Sequence, residues 1–146
     1  DGVLNRLGSK AESVEGEMVD RFGVIVRSTG ALVVLSSSWR VYKKLVDKLA
    51  QAFFLAGIPG LMESTPTSEW DELEGKRDYS ESVVQERCRE IRTWLKSNAS
   101  RVDTWVALDD LPLSTEDDFF EGHHVWTDPK EGLTDAHVAQ AVSVLG

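Results

Sequence analysis

The chain has 146 residues, of which 41% are hydrophobic and 28% are charged, and its formal net charge is −9. This length suits one domain with a real core, which buries roughly 70% of the surface that the unfolded chain exposes. The acidic charge argues against strong general binding of nucleic acid, because proteins that bind duplexes present a basic face to the phosphates. No apolar run approaches the ~20 residues of a membrane helix, so we expect no membrane partner.

Cys88 is the only cysteine of the chain. A single cysteine excludes an internal disulfide and a cluster of thiolate metal ligands, which favours a reducing compartment. We therefore expect an intracellular, cytoplasmic protein. The thiol falls on the apolar face of a predicted helix, which favours packing over catalysis.

Helical patterns and short apolar runs alternate along the chain. Apolar residues recur at helical spacing from Val14 to Thr29, and Gly30 is placed to stop that helix. The β-branched run at residues 31–35 then predicts a buried strand. A second helix is predicted over residues 41–56, with Gly57 directly after it.

The alternation continues in the second half of the chain. Residues 63–80 are rich in Ser, Thr, Pro and charge, which predicts a long surface loop. A third helix is predicted over residues 84–95, and strands over residues 104–108 and 123–126. Thr134 is the predicted N-cap of a last helix.

Strands that alternate with helices of this length favour right-handed βαβ units. We predict one α/β domain over residues 1–146, a Rossmann-like three-layer α/β/α arrangement with a mainly parallel sheet. Ser36 and Ser37 follow one predicted strand, and Asp109 and Asp110 follow another. Because ligands bind outside the carboxyl ends of such strands, we expect these side chains to line one crevice.

Asp109 and Asp110 are adjacent carboxylates at the end of an apolar run. Two such groups repel each other unless a cation neutralises them. Mg²⁺ takes one or two carboxylates, keeps several waters and adds a substrate phosphate. A loop that begins with two solvated acids explains the pair equally well, so the pair alone leaves both interpretations open.

Other polar side chains give weaker signals. Arg87 on the third predicted helix can hold a phosphate or a carboxylate bidentately, although a solvated arginine on an amphipathic helix is commoner. Ser36 can donate to a phosphate oxygen, but serine is also frequent in turns. His123 and His124 point to opposite faces of one strand, so they cannot both line one site, and we assign catalysis to neither.

The order of these features resembles the four motifs of haloacid-dehalogenase-like (HAD) hydrolases. Residues 1–5, Asp-Gly-Val-Leu-Asn, match the second half of the family's opening pattern, Asp-x-Asp-Gly-[Thr/Val]-Leu. A strand-end Ser36, a helical Arg87 and the Asp109–Asp110 pair then follow in the order of the other motifs. Three runs are most similar to the HAD domains of Swiss army knife RNA-repair proteins: Val-Val-Leu-Ser-Ser-Ser-Trp-Arg (residues 33–40), Arg-x-x-Glu-Ile-x-x-Trp-Leu (residues 87–95) and Gly-Leu-Thr (residues 132–134).

The resemblance implies a Mg²⁺-dependent phosphatase that works through an aspartyl-phosphate. In the family the first aspartate of the opening motif attacks phosphorus. The second, which matches Asp1, protonates the leaving oxygen and lends its backbone carbonyl to Mg²⁺. Ser36 would bond the transferring phosphoryl group and Arg87 would offset its charge. Asp109 and Asp110 would ligate Mg²⁺, the latter directly or through water.

The resemblance also bears on the substrate. Ser37 and Arg40 lie beside Ser36 and are further candidates for substrate binding. About 35 residues separate Asp1 from Ser36 and about 50 separate Ser36 from Arg87, which implies a minimal cap or none. By family analogy, an open site suits a phosphorylated macromolecule, such as a nucleic-acid end that is contacted transiently.

The sequence departs from the family pattern at its opening motif. The nucleophilic aspartate would lie two residues before Asp1, after an apolar strand that is central in the HAD sheet. Without that strand, the strands leading to Ser36 and Asp109 would keep unpaired backbone groups. We therefore expect the strand and the nucleophile upstream of Asp1, and no activity without them. The alternative is a catalytically inactive HAD-fold module for binding or regulation.

Overall fold

The computed structural model describes residues 2–5, 14–59, 61–66 and 81–146. Within these ranges helices and strands alternate, which confirms the predicted α/β class. The helices are α1 (Gly16–Thr29), α2 (Lys43–Leu55), α3 (Glu81–Ser97), the one-turn α4 (Leu113–Glu116) and α5 (Asp135–Leu145), and the strands are β1 (Val33–Leu35), β2 (Leu61–Ser64), β3 (Ala107–Asp109) and β4 (His124–Trp126). No helix in the described part of the chain is long and apolar enough to span a membrane.

The strands form two short parallel pairs. β1 pairs with β2, and β3 pairs with β4, where Asp109 lies opposite Trp126. Parallel strands need long crossover connections, which α2 and the segment around α4 occupy in the sequence. The predicted parallel pairing is therefore confirmed.

Helices cover both faces of the strands, which gives the three layers of a Rossmann-like fold. Successive side chains of β3 point to opposite faces. Ala107 packs on the apolar cluster beneath α3 and α4, whereas Leu108 packs on the cluster beneath α1 and α5. A further cluster joins α1, β1 and α2 around the fully buried Phe53.

Two predicted helix boundaries are confirmed, and each has a local cause. Gly30 ends α1 at φ 71°, where its N–H donates to the carbonyl of Val26. Thr134 caps α5, and its hydroxyl accepts from the N–H of His137. The ring of His137 in turn accepts from the N–H of Thr134 at 3.0 Å, so this side chain belongs to the cap.

The predicted surface loop over residues 63–80 was wrong at its start, because Glu63 and Ser64 belong to β2. The Glu63 carboxylate is stabilised in the strand by two donors, Trp94 Nε1 at 2.6 Å and Arg101 at 2.7 Å. The hydrogen bond from Arg101, followed by that from Trp94, lowers the pKa of the Glu63 carboxyl. Residues 67–80 of the predicted loop lie outside the described residues.

A cavity of about 460 Å³ lies between the two pairs of strands, and both β1 and β3 line it. Among the described strands, β1 has only β2 as a partner and β3 has only β4. The cavity lining from α1, α2 and α3 is mostly apolar and includes Phe22, Phe53 and Ile91. Two parallel strands thus border an apolar space where the sequence predicts a central strand between them.

Candidate active site

Four predicted site residues line the cavity between β1 and β3, namely Ser36, Ser37, Arg87 and Asp109. Ser36 directly follows β1, Asp109 ends β3, and Arg87 reaches the cavity from α3. Polar residues lie at the carboxyl end of each strand, as expected for a crevice that binds a ligand there. The structure therefore brings Ser36, Arg87 and Asp109 together around one space, although residues 36 and 109 are far apart in the chain.

Asp109 is 3% exposed, and both of its carboxylate oxygens have partners. Arg87 donates to Oδ2 at 2.6 Å, and the N–H of Leu111 donates to Oδ1 at 3.1 Å. A buried carboxylate needs such donors, since burial without them costs several kcal/mol (about 2–7 for a polar group). Arg87 thus holds the Asp109 carboxylate at the edge of the cavity.

Asp110 has a different environment from its neighbour. Its Oδ2 atom is buried and makes no hydrogen bond to any described residue. Burial, followed by the charge of Asp109, raises the pKa of the Asp110 carboxyl to about 6. A carboxylate oxygen in this situation is stabilised by a proton or by a cation.

Gly2 makes a tight turn against Asp110. Its φ is 76°, and a Cβ atom built on it would lie 2.5 Å from Asp110 Oδ2. Its N–H donates to Asn5 Oδ1 at 2.9 Å, and its carbonyl accepts from Thr127 Oγ1 at 2.8 Å. Glycine is needed here for the backbone angle and for the close approach. Asp1 lies outside the described residues, so its assigned roles stay predictions.

The turn after β1 is held from within the protein. Arg40 has a side chain that is 2% exposed, and it forms an ion pair with Glu90 of α3. The same guanidinium donates to the carbonyls of Ser36 at 2.9 Å and Ser37 at 2.8 Å. The Ser37 hydroxyl accepts from the N–H of Trp39 at 3.2 Å. These contacts make Arg40 and Ser37 positioning residues for Ser36, and their predicted contact with substrate stays a prediction.

Residues at the end of β4 support the site, and the sequence reasoning did not find them. Thr127 is 1% exposed and bonds the Gly2 carbonyl, while Trp126 Nε1 donates to the Asp110 carbonyl at 3.0 Å. A threonine or tryptophan at a strand end is common, so neither contact leaves a local signal in the sequence.

His123, His124 and Cys88, to which no catalytic role was assigned, make structural contacts. His124 is buried between the Ser114 hydroxyl, at 3.2 Å, and the Asp109 carbonyl, at 3.2 Å, and burial lowers the pKa of its imidazole. His123 stacks on Trp105 with ring centroids 4.3 Å apart. Burial raises the pKa of the Cys88 thiol to about 12, which keeps the sulfur protonated.

Comparison with known families decides the assignment. The family model described as "HAD domain in Swiss Army Knife RNA repair proteins" matches residues 1–138. The chain belongs to this HAD family. No curated protein and no solved structure gave a significant match. The match includes every candidate site residue and confirms the resemblance seen in the motifs.

The residues of the HAD domain fit a divalent cation of the Mg²⁺ type. Asp109 and Asp110 are the only two carboxylates placed together at this edge among the described residues, and no group of three or more His, Cys, Asp or Glu side chains converges there. Mg²⁺ accepts so few side chains, because it retains waters and adds substrate oxygens. The buried Oδ2 of Asp110 has no hydrogen-bond donor among the described residues, so a cation or a proton suits this position.

Proposed function

We propose that this HAD domain is the phosphotransfer domain of a Mg²⁺-dependent phosphomonoesterase. Family membership gives the coarser statement, a phosphatase-type hydrolase family. The Mg²⁺-dependent activity is proposed from the Asp109–Asp110 pair beside Gly2. In this pair, one buried carboxylate oxygen lacks a donor among the described residues. Arg87 neutralises Asp109, so the charge that a bound cation would balance is that of Asp110.

Asp109 and Asp110 would hold the metal, together with the backbone carbonyl of Asp1. When bound, Mg²⁺ neutralises negative charge on phosphate oxygens. Arg87 would add a second positive charge, since its guanidinium borders the cavity beside Asp109. Arg40 bonds the Ser36 carbonyl and so positions this serine. The Ser36 hydroxyl would donate a hydrogen bond to a phosphate oxygen.

The covalent step requires an aspartate two residues before Asp1. Its carboxylate oxygen would form a bond to phosphorus as the ester bond breaks, and Asp1 would give its proton to the leaving oxygen. Asp1 would then take a proton from water, whose oxygen attacks phosphorus and releases the aspartate and inorganic phosphate.

The cavity between β1 and β3 supports this placement of the nucleophile. A strand that leads into Gly2 would run through the cavity parallel to both neighbours and pair with them. Its carboxyl end would reach the edge where Ser36 and Asp109 lie. The apolar lining of the cavity suits a buried strand of Val, Ile or Leu.

The proposed substrate is the phosphorylated end of a macromolecule, with a nucleic-acid end as the first choice. The family description names RNA repair proteins, which favours a nucleic acid. The net charge of −9 implies brief contact, because little affinity can come from the phosphate backbone.

The test is hydrolysis of p-nitrophenyl phosphate by the full-length protein. We expect turnover with Mg²⁺, none in EDTA, and loss of activity in Asp109→Asn. Asp118→Asn is the matched control, because Asp118 is an exposed aspartate that lies before β4 and away from the cavity. Full activity in EDTA or in Asp109→Asn would refute the metal-dependent mechanism. No activity of the full-length protein, with or without Mg²⁺, would favour the inactive binding module.

A further inference from the structure

Trp126 places a large aromatic side chain beside the two carboxylates. It ends β4 directly opposite Asp109 in the parallel register. Its indole N–H donates to the backbone carbonyl of Asp110 at 3.0 Å. The residue is nevertheless 52% exposed, so much of the ring is open to solvent at the edge where the site lies.

The indole is held in one orientation. Besides the bond to Asp110, its ring lies 6.2 Å from that of His124, with an angle of 23° between the planes. His124 is itself fixed by Ser114 and by the Asp109 carbonyl. A ring with its polar N–H already satisfied and one side against the protein offers its remaining surface to a ligand at little entropic cost.

The distance to the reacting phosphate suits one nucleotide. Adjacent strands are about 4.8 Å apart, so β4 lies roughly 10 Å from the middle of the cavity, with β3 between them. In a nucleotide the sugar separates the phosphate from the base. A phosphate between Ser36 and Asp109 can therefore be joined to a base that lies over Trp126.

We propose that Trp126 stacks on the base of the terminal nucleotide and makes the site prefer nucleotide phosphomonoesters to esters without an aromatic group. The inference rests on the proposed function and adds the residue that recognises the substrate. Stacking on indole tolerates any base, because every base has a π face. It also suits a domain of net charge −9, in which aromatic contact can replace the phosphate contacts that a basic protein would use.

The experiment measures kcat/KM of the full-length protein for adenosine 3′-phosphate, adenosine 5′-phosphate and glycerol phosphate. In Trp126→Leu the ratio of kcat/KM for the nucleotide to that for glycerol phosphate should fall about ten-fold. Trp126→Phe, which keeps an aromatic face, should retain most of that ratio. Phe119→Leu is the control, since Phe119 is a 41% exposed aromatic that precedes β4 at the opposite end of the strand. The two nucleotide arms show which end of a nucleic acid the site accepts.

An unchanged ratio in Trp126→Leu would overturn the inference, as would an equal loss on all three substrates, which would mean that the indole only supports the Asp110 loop. If the wild type hydrolyses none of the substrates, the proposed function fails instead. Indole fluorescence on addition of adenosine 3′-phosphate then decides the inference alone. Quenching in the wild type that is lost in Trp126→Phe supports stacking, and equal quenching in both proteins contradicts it.

Discussion

Replacing Asp110 with asparagine should stabilise the metal-free protein at neutral pH. The fold raises the pKa of this carboxyl from 3.8 to about 6, mainly by burial. At about 1.36 kcal/mol for each pH unit between these two pKa values, the cost has an upper limit of about 3 kcal/mol, and the partial exposure of Asp110 reduces it to about 1–2 kcal/mol. Asparagine has nearly the same shape and carries no charge, so it avoids this cost.

The pH dependence has a definite sign. Between about pH 4 and pH 6 the folded state binds more protons at Asp110 than the unfolded chain does, because its pKa is higher there. Wild-type stability should therefore fall as the pH rises through this window, and the cost is fully present above about pH 6. The difference between wild type and Asp110→Asn should be small near pH 4 and largest above pH 6.

Urea unfolding in EDTA at pH 4 and pH 7.5 measures this difference. Asp118→Asn serves as the control, since the same change at an exposed aspartate should leave the free energy of unfolding nearly unchanged at both pH values. Mg²⁺ should raise the stability of the wild type and not that of Asp110→Asn. If Asp110→Asn is no more stable than the wild type in EDTA at pH 7.5, the reasoning about a buried, uncompensated carboxylate is refuted.

Two further substitutions test the supports of the site. Glu90→Ala should lower the free energy of unfolding by about 3–5 kcal/mol, because it removes a buried counter-ion of the Arg40 guanidinium. Asp135→Ala, which breaks the exposed ion pair with Arg21, should cost about 1 kcal/mol or less. Equal losses in urea would contradict this difference. Gly2→Ala should abolish Mg²⁺-dependent hydrolysis, because the added Cβ atom would collide with the Asp110 carboxylate. Wild-type activity in this variant would show that the glycine turn is not required.

Local sequence signals were enough to predict much of the fold. Gly30 and Thr134 end or begin helices through contacts within four residues, so their types alone indicate the boundaries. The β-branched run before Ser36 predicted β1. Because parallel strands align their carboxyl ends, the convergence of Ser36 and Asp109 also followed from the order of the elements.

What the sequence could not predict depends on pairs that are distant in the chain. Glu63 belongs to a strand because Trp94 and Arg101, more than 30 residues later, satisfy its carboxylate. Thr127 meets the Gly2 carbonyl across 125 residues. Such contacts leave no periodic pattern, and each residue type is common in turns and strands for other reasons.

The most direct test of the phosphatase mechanism is detection of the phosphorylated protein. In full-length Asp1→Asn, the group that activates water for the second step is removed, so a phosphoryl-enzyme should accumulate with Mg²⁺ and substrate. Acid quenching followed by peptide mass spectrometry should find the phosphoryl group on an aspartate two residues before Asp1, and it should be released by hydroxylamine. Absence of any phosphorylated peptide in Asp1→Asn, or a phosphoryl group on another residue, would contradict the proposed mechanism.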